Sequence, residues 1–165
     1  VRMAGDKMNT DITEYIKAKH GLVIGEHSAE QIKIKLGTAL KVVEPKTMDV
    51  RGRDVATGMP RQIQINENEI EEALHDTLDQ IVHAAIAVLE TVPPELASDI
   101  IDRGVMLTGG TALLHGIDQL FSEKLKVPVV VSQDPLDNVA KGAGELLERM
   151  QANPANNGKR KRKRK

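Results

Sequence analysis

Val105-Met106-Leu107-Thr108-Gly109-Gly110-Thr111 is a short apolar run that stops at two glycines and gives way to a helix-like pattern. That order reads as a strand, a loop without side chains, and a helix whose N-terminus faces whatever lies over the loop. Glycines there let a flat or phosphorylated ligand approach the backbone closely. The helix N-terminus would add unpaired N–H groups and a partial positive charge. An ordinary tight βα turn has the same order, so the stretch alone leaves both readings open.

Around it the chain alternates strand and helix, the pattern of an α/β fold. Pro94 to Ile101 reads as a short helix leading into the strand, and Leu113, Leu114, Ile117, Leu120 and Phe121 continue a helical apolar face interrupted by Gly116. Val127 to Val131 is a buried strand with Pro128 near its start, where a missing N–H is tolerated. Asp134-Pro135 turns the chain, and Asn138 is placed to cap a last helix. Gly142 and Gly144 in that helix would allow another backbone to come close.

Upstream lies the longest element. Asn66 and Glu69 have capping-box spacing, and Ile70, Leu74, Leu78, Ile81, Ala85 and Val88 then hold one helical face until Pro93-Pro94. Before it, Thr47–Arg53 and Arg61–Ile65 alternate around Thr57-Gly58-Met59-Pro60, which predicts a hairpin whose exposed face carries Arg51, Arg53, Arg61 and Gln64. Residues 39–43 read as a strand. Thr10 or Asp11 is placed to cap a first helix with Ile12, Tyr15 and Ile16 inward, and Leu22-Val23-Ile24 follows its end at Gly21. Ser28 and Gln31 form a second capping-box pattern, with Ile32 and Leu36 inward and Gly37 at the end. Glu30 and Lys33 stand three apart on that helix, the spacing of a solvated surface pair.

Composition narrows the chemistry. Tyr15 and Phe121 are the only aromatics, so the core is aliphatic and a stacking platform for single-stranded nucleic acid is not expected. With no cysteine there is no disulfide framework, thiolate metal site or Cys nucleophile. His20, His27, His75, His83 and His115 lack metal-ligand spacing, so none is assigned a metal. The net charge of −1 conceals a split: residues 159–165 carry seven positive charges, leaving 16 basic against 24 acidic residues elsewhere. Residues from 152 to 158 are rich in Asn, Ala and Pro and are expected to be disordered. The basic run beyond them suits anionic lipid, at roughly 1 kcal/mol per basic residue, nucleic acid, or no fixed partner at all.

Two separated passages share a resemblance. Leu107-Thr108-Gly109-Gly110-Thr111-Ala112-Leu113-Leu114 resembles the adenosine motif of the actin, heat-shock-chaperone and sugar-kinase ATPases, and residues 28–37 resemble their nucleoside-contacting helix. The wording is closer still to bacterial actin, the rod-shape-determining MreB and Mbl proteins. It includes Ala4-Gly5-Asp6-Lys7-Met8, Ile24-Gly25-Glu26, Thr57-Gly58-Met59-Pro60-Arg61, Pro93-Pro94-Glu95-Leu96, Asp134-Pro135-Leu136 and Val139-Ala140-Lys141-Gly142-Ala143-Gly144. The similarity runs in order from residue 1 to about 150.

It implies the second half of an actin-like (ribonuclease H-like) ATPase fold with an inserted small α+β subdomain. Residues 1–5 would end an upstream strand, 6–75 form the small subdomain, 76–151 the large one, and 152–165 the basic tail. By the same resemblance Glu30, Gln31, Ile32 and Lys33 would face the ribose and base. Gly109, Gly110, Thr111 and Ala112 would line the base and the α-phosphate side. ATP is the implied ligand, with Mg²⁺ expected only alongside the family's phosphate-binding half, which this chain does not supply, so no catalytic residue is assigned. The implied protein is a cytoplasmic cytoskeletal filament on the inner face of the cell membrane. Its partners are copies of itself and the cell-wall elongation machinery, and it governs rod cell shape. The alternatives are a basic-tailed module for nucleic acid or anionic lipid, or half of another ATPase of the superfamily.

Overall fold

Residues 5–152 are described by the computed structural model. In order they form α1 (Gly5–His20), β1 (Leu22–Val23), α2 (Glu26–Leu36), β2 (Thr47–Asp54), β3 (Pro60–Asn66) and α3 (Glu67–Leu89). Then follow α4 (Pro94–Arg103), β4 (Val105–Leu107), a 3-10 turn (Gly110–Leu113), α5 (Ile117–Leu125), β5 (Val129–Val131) and α6 (Asn138–Ala152). The expectations for residues 1–4 and for the tail from 153 onward lie outside the described residues.

Two sheets share one apolar core. Strands β1, β2 and β3 make an antiparallel sheet in that order, with Leu22 opposite Asp54 and Val50 opposite Ile63. Alternation along the hairpin turns Val50 and Ile65 inward. Over it pack Met8, Ile12 and Ile16 of α1, Ala29, Ile32 and Leu36 of α2, and Ile70, Leu74, Leu78 and Val82 of α3. The second sheet is the parallel pair β4–β5, Val105 opposite Val129. Ile117 and Phe121 of α5 join it to the same core. Long α3 therefore contributes to both parts.

Capping explains where α3 starts. The Glu69 N–H donates to Asn66 Oδ1 at 3.2 Å, and Glu69 Oε2 accepts from the Asn66 N–H at 3.0 Å, the expected reciprocal box. Two of the other cap assignments fail. Helix α1 begins at Gly5, so Thr10 and Asp11 sit inside it: the Thr10 hydroxyl donates back to the Asp6 carbonyl at 3.0 Å, and Asp11 accepts from the Thr77 hydroxyl at 2.6 Å. Ser, Thr, Asn and Asp can bond within a helix as well as at its end, and here they do. Helix α2 starts after Gly25 with no side-chain cap, so Ser28 and Gln31 are not its box.

Residues 39–43 are not a strand. Thr38 makes one parallel bridge to His115, and the main chain of Val42 is held by a side chain instead. Its N–H donates to Asn68 Oδ1 at 2.8 Å and its carbonyl accepts from Asn68 Nδ2 at 3.0 Å. The α3 stripe also ends earlier than its periodicity suggests, with Val88 exposed and Val82 in the core. Gly142 and Gly144 meet no close neighbour among the described residues. Asn138 is the first residue of α6, and its side-chain amide reaches Thr108 at 3.3 Å.

At the hairpin tip, Asp54 accepts from the Thr57 and Ala56 N–H groups at 2.9 and 3.0 Å and pairs with Arg61 at 2.6 Å. These bonds, led by the Thr57 N–H, hold its carboxyl below the usual carboxylate range. Arg61 is thereby committed within the fold, and Arg51 donates to Gln62 at 2.9 Å. The arginine-bearing face is thus partly self-satisfied.

Candidate functional site

The ends of α2 and of the glycine turn are brought together by one bridge. Gly37 closes α2, its N–H donating to the Lys33 carbonyl at 2.9 Å, and its own carbonyl accepts from the His115 N–H at 3.2 Å. The Ala39 N–H returns to the His115 carbonyl at 2.8 Å. This seam lays residues 30–34 alongside residues 110–114, and a cleft of about 360 Å³ lies between them. Glu30, Lys33, Gly110 and Thr111 line it, together with Gly5, Met8, Ile34, Leu113, Leu114 and Leu136. A larger hollow of about 500 Å³ runs along α1. It carries mainly acidic and hydroxyl side chains and joins none of the glycine turn.

Four of the eight residues singled out in the sequence therefore meet in one cleft: Glu30, Lys33, Gly110 and Thr111. The others do not line it. The side chain of Ile32 is fully buried in the core, and Ala112 is buried behind the turn. Gln31 lies on α2 outside the cleft wall. Gly109 acts through its backbone: it has φ +86, and its N–H donates to the Pro135 carbonyl at 2.7 Å. A β-carbon at that φ would be strained although nothing crowds it.

The polar jaw is Glu30 and Lys33. Glu30 is exposed, while half-buried Lys33 donates from Nζ to the Gly5 carbonyl at 3.1 Å. The solvated Glu30–Lys33 pair is thus replaced by a bond that fixes the ammonium at the start of α1. Facing it, Gly110 presents bare backbone, with Leu136 Cδ2 3.5 Å from where a β-carbon would stand. The glycines are followed by a single 3-10 turn and not by an α-helix, which starts only at Ile117. The expected helix N-terminus over the loop is absent, and the close-approach role of glycine is what remains. Leu114 N–H bonds to the Thr111 carbonyl at 3.1 Å and Gly116 takes φ +72, which ends the turn before a helix can form.

Gly5, Met8, Ile34, Leu113, Leu114 and Leu136 also line the cleft; they lie in the family-like stretches of the sequence, but no ligand contact was expected of them. Met8 is one turn before Ile12 on the buried face of α1, a signal of packing only. Ile34, Leu113 and Leu136 are 67%, 58% and 66% exposed.

This arrangement, two helical segments and a glycine turn closing on a shared cleft, is part of an actin-like fold. The solved structure of MreB5 of Spiroplasma citri bound to AMPPNP superposes with a TM-score of 0.90 at 31% identity, covering 95% of this chain and 47% of that one. The MamK double helical filament superposes with a TM-score of 0.76 at 19% identity, over 90% of this chain and 45% of that one, a likeness of fold alone. The profile of the MreB/Mbl protein family matches residues 1–155, and the chain belongs to that family. The cell shape-determining protein Mbl of Bacillus subtilis is 51% identical over 154 residues, 93% of this chain and 46% of that protein. The cell shape-determining protein MreB of Escherichia coli K12 is 48% identical over 148 residues, 90% and 43%. The chain spans a little under half the length of the curated relatives it matches.

Proposed function

We propose that the cleft holds the nucleoside of ATP or ADP, and that the chain is the nucleoside-binding part of a filament-forming, cell-shape-determining protein. The observation that carries this is the convergence of Glu30 and Lys33 with the bare backbone of Gly110. Glu30 can accept from ribose hydroxyls, Lys33 has N–H groups to spare beside its bond to Gly5, and Gly110 leaves room for a close-lying ring. The Spiroplasma relative was solved with AMPPNP and with ADP, which supports the reading.

The residues here do not fit a Mg²⁺ site. Glu30 is the one carboxylate lining the cleft, and no cluster of three His, Asp or Glu suited to a metal occurs among the described residues. The phosphate chemistry is therefore assigned to parts of the longer family member that this chain does not span. Residues 6–75 are taken as the small subdomain and 76–151 as the large one, with α3 running through both. Assembly with copies of itself is supported by the MamK filament's shared fold. Residence beneath the cell membrane and partnership with wall-elongation enzymes rest on the family resemblance. No described helix is long and apolar enough to cross a membrane.

Isothermal calorimetry with ADP tests the site. Glu30→Ala removes one charge-assisted bond, expected to weaken binding by about 1.5–3 kcal/mol, roughly tenfold or more. Gly110→Val fills the space facing Leu136 and should abolish binding. Wild-type affinity in both variants would refute the assignment.

A further inference from the structure

We propose that Leu136 is a specificity-determining residue of the cleft, an apolar wall for the nucleobase, and that Thr108 positions it. This rests on the nucleoside reading above. Leu136 is 66% exposed, yet it faces the bare backbone of Gly110 across the cleft. Its loop is tied so that the side chain does not withdraw to the core. The Pro135 carbonyl accepts twice, from the Gly109 N–H at 2.7 Å and from the Thr108 hydroxyl at 2.9 Å. Thr108 in turn accepts from Asn138 Nδ2 at 3.3 Å. The Asp137 and Asn138 N–H groups both return to the Asp134 carbonyl at 3.1 Å, and Lys141 pairs with the Asp134 carboxylate.

A large aliphatic side chain held in water by a fixed loop gains from any apolar surface laid over it. The jaw on the other side, Glu30 and Lys33, offers an acceptor and a cationic donor. A flat heteroaromatic ring carrying a hydroxylated sugar satisfies both walls at once, whereas a sugar phosphate without a base would use only the polar one. Leu136 thus selects for the presence of the base. Thr108 acts through the Pro135 carbonyl and never touches the ring.

The test compares ADP with its base-free counterpart, ribose 5-diphosphate, on the full chain by calorimetry. Leu136→Asp should weaken ADP about ten- to a hundredfold and leave the base-free compound unchanged. Leu136→Met should keep wild-type ADP affinity. Thr108→Val should give an intermediate loss confined to ADP. Equal weakening of both compounds by Leu136→Asp, or no weakening of ADP, overturns the proposal. If Glu30→Ala weakens ADP and Leu136→Asp does not, this proposal fails and the nucleoside reading stands. If the wild-type chain takes up no ADP, both fall.

Discussion

Gly37→Val is expected to detach the end of α2 from the glycine turn and to remove the cleft with it. A β-carbon at Gly37 would stand 2.2 Å from the Lys33 carbonyl oxygen and 2.5 Å from Leu114 Cδ2. The leucine methyl can turn aside. The carbonyl cannot, because it is fixed by accepting the Gly37 N–H at 2.9 Å. Relief therefore requires the backbone to move, and the Gly37–His115 seam moves with it. The expected loss is about 3 kcal/mol or more in urea unfolding, with ADP binding abolished in the same variant. Gly25→Ala is the control: nothing lies within 4 Å of its β-carbon position, and both readouts should stay near wild type. Intact stability and binding in Gly37→Val would show that the seam does not build the site.

Gly104→Ala should act with similar force on the other side of the turn. Gly104 has φ +75, where an L side chain is strained, and its β-carbon would lie 2.3 Å from the Pro128 carbonyl oxygen. That oxygen accepts the Val105 N–H at 2.8 Å, the bond that starts the β4–β5 ladder. Strain and the displaced bond together are expected to cost about 3 kcal/mol. Hydrogen exchange separates this from global unfolding. Protection should fall at Val105 to Leu107 while the β2–β3 hairpin, a separate sheet, keeps its own. Uniform loss across both sheets, or none, would contradict the local account.

Much of this fold is legible because it follows from local rules. The α3 box, the Thr47–Asn66 hairpin and the inward faces of α1 and α2 need only capping, alternation and helical period. What escapes sequence reading is settled by partners far along the chain. Residues 39–43 have the composition of a strand, but Asn68 takes both main-chain groups of Val42, and no strand among the described residues pairs with them. Thr10 and Asp11 look like caps because their side chains can be, but the described helix already runs from Gly5, with only Asp6 as an acidic signal in its first turn.

The site divides in the same way. Glu30, Lys33, Gly110 and Thr111 sit in recognisable motifs, and the fold brings them together. Ile32 and Gln31 share the motif with Glu30 and Lys33, but helical geometry turns Ile32 into the core. Leu136 belongs to a turn whose distance from Gly110 is set by the two hydrogen bonds on Pro135, and no spacing rule reports that.

On the proposed reading, residues 30–34 and 110–114 close on a nucleoside. Backbone amide NMR of the chain titrated with ADP tests it most directly. Saturable shifts concentrated at Lys33, Ile34, Gly110, Thr111 and Leu136 are expected, with the β2–β3 hairpin unmoved. Shifts that saturate elsewhere, or no shift under a large excess of ADP, would contradict it.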